Sequence, residues 1–235
     1  MQSYGALPTY LRIAETLTID IEAGRLTPGD KLPPEREMAL MHGVTVTTLR
    51  KSLRILTERG LLERRQGSGN YVAEGQTGLG TYALFRLEAV PGGGGLPTAQ
   101  LISLRHCVKP ASLPDLGSTA PKAWNIRRLR ALNHQPVAIE DIWLDDRFDG
   151  VLTPATVSES LYKTYREKLG LTIARAEDRI GLGPLPDWAP PALQSTPGSI
   201  MGLARRRAFD GYGAVAEVSF TWFDTSRAAY VARIP

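Results

Sequence analysis

Residues 8–72 read PTYLRIAETLTIDIEAGRLTPGDKLPPEREMALMHGVTVTTLRKSLRILTERGLLERRQGSGNYV, and the order of periodicities in this run decides the fold. Tyr10, Ile13, Ala14, Leu17 and Ile21 recur at helical spacing, which predicts a helix over Tyr10–Ala23 ending at Gly24. The stretch LTPGDKLPP is turn chemistry. A second helix is expected from Pro34 or Glu35 to Met41, where proline suits the first turn, with Met38 and Met41 on its apolar face. After the turn His42-Gly43-Val44, Thr45 is a good N-cap for a third helix reaching about Arg59. Leu49, Leu53 and Leu56 form its buried stripe, and Gly60 stops it. LLERR and NYVA then read as two short strands joined at QGSG. Three short helices followed by a hairpin is the layout of a winged helix-turn-helix.

Charge supports that reading by its distribution. The net charge is only +4. Met1–Glu35 carries three basic and five acidic residues, whereas Arg36–Arg65 carries seven basic and three acidic. The positive charge is densest on the second and third helices and the first strand, as suits a polyanion; a solvated helix face accounts for charge alone equally well.

With the leucine stripe inward, the opposite side of the third helix is expected to carry Val46, Thr47, Arg50 and Arg54. A recognition helix inserts its N-terminal turns into the major groove. Thr45 and Thr47 can donate to phosphates or bases, and Arg50 can reach a guanine edge or a phosphate. Arg36 lies at the start of the second helix, whose N–H groups and dipole attract phosphate. The hairpin tip Gly67-Ser68-Gly69 has little bulk and suits close approach to a minor groove, flanked by Arg64, Arg65 and Gln66. The candidate DNA contacts are therefore Arg36, Thr45, Val46, Thr47, Arg50, Gly67, Ser68 and Gly69.

The elements IEAGRLTPGDKLPPERE, GVTVTTLRKSL and LxxxGLLxRRQGSGNYV resemble the DNA-binding domain of the GntR family over nearly all of residues 8–72. The resemblance implies a winged helix that binds palindromic operators as a dimer, with DNA-contact roles for Arg36, Thr45, Thr47, Arg50 and Gly69. Two positions depart from the family pattern: Pro34 stands where serine is usual, and Val46 where arginine is usual. A valine there can pack on a thymine methyl, which implies an altered sequence preference.

Outward from this run, EGQTGLG at Glu74–Gly80 has no apolar periodicity and reads as linker, and PGGGGLP at Pro91–Pro97 is too glycine-rich for an element interior. Strands are then expected at Leu101–Val108, Trp124–Leu132, Val137–Leu144, Leu171–Ile180, Ile200–Phe209 and Val215–Phe223, with an added edge strand at Tyr230–Ile234. An amphipathic helix is expected over Ser158–Leu169 and a short one within Pro184–Pro197. Hairpin-like connections at Asn133-His134-Gln135 and Asp210–Gly213 favour an antiparallel sheet. The expected class is α+β: a winged helix-turn-helix over 1–73, a linker over 74–82, and an antiparallel sheet with flanking helices over 83–235.

On the strand Trp124–Leu132, alternation places Trp124, Ile126, Arg128, Arg130 and Leu132 on one face. Two arginines among apolar side chains are costly to bury without an anion or a carboxylate partner. Glu140 shares a face with Ala138, Ile142 and Leu144, and Glu217 with Val215 and Phe223. These groups either line a site for a small anionic ligand or pair with each other to hold the sheet.

WNIRRLRALNHQPVAIEDIWL, SLYKTYREKLGLTIARAEDRI and RRRAFDGYGAVAEVSFTWFD resemble the UTRA effector domain of the HutC branch of GntR regulators, across about residues 83–235. The resemblance implies a chorismate-lyase-like fold and a homodimeric repressor released by a small anionic or polar metabolite. It also implies effector contacts at Arg128, Arg130, Glu140, Ser160 and Glu217, with Tyr162 beside them. Phe223 stands where some members have a ligand-contacting tyrosine.

Other classes fit poorly. One cysteine, Cys107, excludes an internal disulfide framework, and His42, His106 and His134 lack metal-ligand spacing, so no metal or cofactor is expected. The apolar runs are too short to span a bilayer and no signal peptide is evident, so no membrane role is expected and a cytoplasmic location is. An enzyme is one rival, given the lyase-like fold, but no nucleophile elbow, zinc triad or phosphate loop is present. His106 and Cys107 are adjacent on a strand and point to opposite faces. A DNA-binding protein without effector, its second domain serving only to dimerise, is the other rival.

Overall fold

The computed structural model describes residues 8–74, 84–158 and 160–233. The chain divides into two compact units, Met1–Arg86 with Ala232–Pro235, and Leu87–Val231. Most of the linker predicted over 74–82 lies outside the described residues, as does the end of the predicted Tyr230–Ile234 strand.

The first unit contains α1 (Thr9–Glu22), α2 (Glu35–Met41), α3 (Val46–Glu58), β1 (Leu62–Arg65) and β2 (Gly69–Val72). Gly24 has φ +72°, the left-handed conformation that ends α1, and Gly60 does the same after α3. Behind Gly60, the Leu61 N–H donates to the Leu56 carbonyl at 2.9 Å, which turns the chain into β1. The strands pair antiparallel from Leu62↔Val72 to Arg65↔Gly69. Ile13 and Leu17, Leu32, Met38, the leucine stripe of α3, and Leu61, Leu62 and Val72 form one core.

Two expectations fail here. Met41 is 71% exposed instead of buried beside Met38. It is the last residue of a two-turn helix whose inward positions are Met38 and Ala39. Val46 is half-buried and packs against the core. It stands three residues before Leu49, one turn back on the buried face, and so does not join Thr47 and Arg50 on the outer side.

In the second unit, β4 (Pro97–Val108), β5 (Lys122–Leu132), β6 (Gln135–Asp145), β7 (Ile173–Pro184), β8 (Ile200–Asp210) and β9 (Val215–Phe223) form one antiparallel sheet in the order β4-β5-β6-β9-β8-β7. The helix α4 (Leu161–Leu169) is shorter than predicted, because Ser160 is its N-cap; Gly170 at φ +63° closes it. A short 3-10 helix, Pro191–Leu193, falls in the proline-rich stretch as expected. Two short strands, β3 (Leu87–Ala89) and β10 (Ala228–Tyr230), pair as a separate ribbon. β3 was not legible because three residues are too few to show a period, and its partner is 139 positions away at the closest pairing, Ala89↔Ala228.

Cross-strand register assigns the faces. One face carries Leu129 and Ile139 packed with Leu185, Leu193 and Met201, and Ala123, Trp143 and Val218 packed with Phe209 and Val215. Val215 was expected on the face of Glu217. A register shift opposite Ala208/Phe209 inserts one residue and turns Val215 to the other side.

Candidate effector face and DNA-binding surface

On the other face of the sheet, Arg128 lies directly across from Glu140, Glu140 across from Thr221, and Arg206 across from both Ser219 and Asp178. Each strand is flanked by residues that bury the opposite face, so these polar side chains are carried inward by alternation alone. Arg128 and Arg130 are each 5% exposed. The Arg128 Nε donates to Glu140 Oε2 at 2.8 Å and its Nη2 lies 2.6 Å from the same oxygen. The Arg130 Nε lies 3.8 Å from Glu140 Oε1. Burial opposes ionisation of Glu140, but Arg128 and Arg130 overcome it and hold the carboxyl below its ordinary range.

Glu217, on the neighbouring strand, behaves oppositely. Burial pushes its carboxyl up despite the Tyr165 hydroxyl, which donates to Oε2 at 2.7 Å. The Tyr162 hydroxyl lies 3.4 Å from Oε1. Both tyrosines come from α4, one turn apart, with ring centroids 5.9 Å from each other. Ser160, predicted as a ligand contact, caps the same helix: its Oγ accepts from the Lys163 N–H at 3.4 Å. The fold thus brings Arg128, Arg130 and Glu140 together from β5 and β6, and Glu217 and Tyr162 together from β9 and α4. Phe223 is buried over Gly202, where an added Cβ would sit 2.5 Å from the ring.

Four residues of this constellation are not singled out by the sequence: Tyr165, Arg206, Asp178 and Tyr230. Arg206 donates to both oxygens of Asp178 at 2.6 Å each, and its Nη1 lies 3.5 Å from the Tyr162 hydroxyl. The Tyr230 hydroxyl donates to Asp178 Oδ2. Asp178 shares a face of β7 with Ala176 and Ile180, and Arg206 a face of β8 with Ala204 and Ala208, as Arg128 does with Ile126 on β5; the charged neighbours on either side of both residues hid that pattern by placing charge on both faces.

In the first unit, Thr45 caps α3, accepting from the Thr48 N–H at 3.2 Å. Thr47 and Arg36 are exposed. Arg50 is 62% exposed and its Nε donates to Glu35 Oε2 at 2.6 Å, tying α3 to the first residue of α2. The tip Gly67-Ser68-Gly69 is stiffened by the Ser68 and Tyr71 hydroxyls, 2.7 Å apart, and Arg65 stacks on the Tyr71 ring at 4.3 Å. Gly67 and Gly69 have φ +74° and +127°, so this turn needs glycine at both positions.

Residues 9–72 match the gntR family of bacterial regulatory proteins, and residues 93–229 match the UTRA domain. The chain is 50% identical over 230 residues to the HTH-type transcriptional regulator SmoD of Agrobacterium fabrum, covering 98% of this chain and 97% of that one. The chain belongs to the GntR family. Within it, the chain is a transcriptional regulator that joins a winged helix-turn-helix to a UTRA domain. It is also 30% identical over 190 residues to MngR of Escherichia coli, the mannosyl-D-glycerate transport/metabolism system repressor, covering 75% of each chain. The crystal structure of PhnF from Mycobacterium smegmatis shares the fold, with a TM-score of 0.52 at 24% identity over 94% of this chain and 98% of that one. Among the described residues, no helix is long and apolar enough to cross a membrane.

Proposed function

We propose that the protein is a cytoplasmic homodimeric repressor that binds a palindromic operator and releases it on binding a small anionic or polar metabolite. Its domains are read as a DNA-binding domain over 1–73, a linker over 74–82 and an effector and dimerisation domain over 83–235. Arg36, Thr45, Thr47, Arg50, Gly67, Ser68 and Gly69 meet DNA in this reading. Val46, half-buried against the core at the first turn of α3, acts on sequence preference by packing on a thymine methyl and by seating the helix. Arg128, Arg130, Glu140, Ser160, Tyr162 and Glu217 hold the effector.

One observation carries the sensor reading: two guanidiniums are buried on a single sheet face with Glu140. Such an arrangement is expensive as architecture, because an ion pair out of water gains little over an apolar one. It is useful as a recognition site, where the guanidinium fork matches a carboxylate or phosphate. The relative whose name refers to mannosyl-D-glycerate suggests one class to try first, an acid carrying a sugar. The second unit is read as a sensor and not as a catalyst; turnover of a bound compound by the full chain would overturn that.

The test begins with selection of duplexes from a random library by the full chain. The selected duplex is then titrated with sugar phosphates, sugar acids and simple carboxylates. An inverted-repeat sequence bound by a dimer, and a compound that weakens that binding, are expected. Binding of single half-sites by monomers would overturn the dimer reading.

A further inference from the structure

The polar chain on the effector face does not stop at Glu217. From Glu217 Oε1 it passes to the Tyr162 hydroxyl at 3.4 Å, to Arg206 Nη1 at 3.5 Å, and through the two 2.6 Å bonds to Asp178. The Tyr230 hydroxyl ends it by donating to Asp178. Burial works against the Arg206 charge, but Tyr162 and Asp178 outweigh it and keep the guanidinium protonated. Burial first, and then the Asp178 carboxylate, push the Tyr230 hydroxyl up to about 12, so it stays a donor.

Tyr230 occupies a particular place in the topology. It is the last residue of β10 and pairs with Leu87, the first residue of β3. Leu87 is also where the second unit begins, and Val231, next after Tyr230, is where it ends. Both chain crossings between the units therefore leave from the same end of the β3/β10 ribbon. The other end is tied by the Val90 N–H, which donates to the Arg227 carbonyl at 2.9 Å. A two-stranded ribbon of three pairs is marginal by itself, so side-chain anchors govern how firmly its ends are held.

We propose that Tyr230 is a positioning residue that, through Asp178 and Arg206, couples occupancy of the effector face to the ribbon from which both connections to the DNA-binding unit depart. This rests on the effector reading above. A ligand that recruits Tyr162 or Glu217 changes what Arg206 bonds to, and so changes the hold of Asp178 on Tyr230. The ribbon is then the output element, and its end is fixed or released by one hydroxyl. A ligand shifts such an equilibrium only through contacts that differ between the two states, and this chain supplies them.

The experiment uses the full chain as wild type, Tyr230→Phe, Asp178→Asn and the double variant, with Tyr212→Phe on an exposed turn as control. Tyr230→Phe removes one hydroxyl and leaves the Asp178–Arg206 pair intact, so it folds even where Asp178→Asn does not. Amide hydrogen exchange at 87–89 and 228–230 is expected to rise about tenfold or more. Affinity for the duplex selected by the wild type is expected to change by about fivefold or more without added ligand. The double variant should fall short of the sum of the two single effects, because Tyr230 and Asp178 share a bond, while Asp178→Asn also weakens the hold of Arg206. Inorganic phosphate serves as probe of the anion end: its thermal stabilisation of the wild type should persist in Tyr230→Phe and vanish in Arg128→Ala/Arg130→Ala. Faster exchange with unchanged DNA affinity would overturn the coupling, and so would unchanged exchange. Phosphate acting equally on the wild type and the arginine variant would instead count against the effector reading.

Discussion

Glu140 and Glu217 sit on adjacent strands of one sheet face and titrate in opposite directions. Glu140 is held ionised by Arg128 and Arg130 against the cost of burial, whereas burial pushes Glu217 toward its neutral form even though the Tyr165 hydroxyl donates to it. The consequences for stability have opposite signs. For Glu140, the folded state binds protons less readily than the unfolded chain. Its contribution is therefore present above the ordinary glutamate range and lost as pH falls through the lowered value. Glu140→Gln should cost about 3 kcal/mol at neutral pH, because it leaves buried guanidinium charge uncompensated. Chemical denaturation at pH 7 and near pH 4 should show that cost shrinking in acid. For Glu217, the folded state binds its proton more readily, so stability falls as pH rises from the ordinary range through the raised value. Glu217→Gln should accordingly stabilise the protein at pH 7 and differ little from wild type near pH 4; a loss at pH 7 would contradict the assignment. The arginines and both glutamates were legible from strand alternation. Which glutamate pairs with arginine was not, since that depends on the β5-β6-β9 order, and no local pattern encodes it.

At the scale of elements, α3 was legible in its cap, its leucine stripe and its stop, but its faces were misdrawn at the first turn. Val46 is one turn from Leu49 and packs on the core. Val46→Arg should cost about 1 kcal/mol, since a half-buried apolar contact is lost. It should also change the sequences recovered in duplex selection, because the seating of the helix changes with it. The Arg50–Glu35 contact makes a second element-level prediction. Both groups are near the surface, so Glu35→Gln should change stability by less than about 1 kcal/mol. In the same variant, DNA affinity at low salt should rise, since the guanidinium no longer has to leave a carboxylate. Arg50→Ala should lower the slope of log affinity against log salt by about 1. An unchanged slope would place Arg50 away from the phosphates. The sheet strands were found in order but with shifted ends. β4 starts early at Pro97 because proline is tolerated at the first residue of an edge strand. β7 runs on to Pro184 through a glycine-containing stretch that carries no alternation signal.

Over the whole molecule, the two-unit architecture followed from a change of period, three short helices and a hairpin giving way to long alternating strands. The β3/β10 ribbon could not be read, because it joins three-residue strands from opposite ends of the second unit. The polar chain from Glu217 to Tyr230 was hidden for the same reason: its members come from β9, α4, β8, β7 and β10, and only the tertiary fold brings them into line. In the proposed reading DNA contact and effector contact lie in separate units, so effector response can be altered without touching a DNA-contacting residue. The most direct test is binding of the selected duplex, followed by fluorescence anisotropy, in the presence of a compound that thermally stabilises the wild type. Arg128→Lys/Arg130→Lys, which keeps positive charge beside Glu140 but loses the guanidinium fork, should bind the duplex as the wild type does while releasing it far less readily when the compound is added. Release that is undiminished in the double variant would contradict the account.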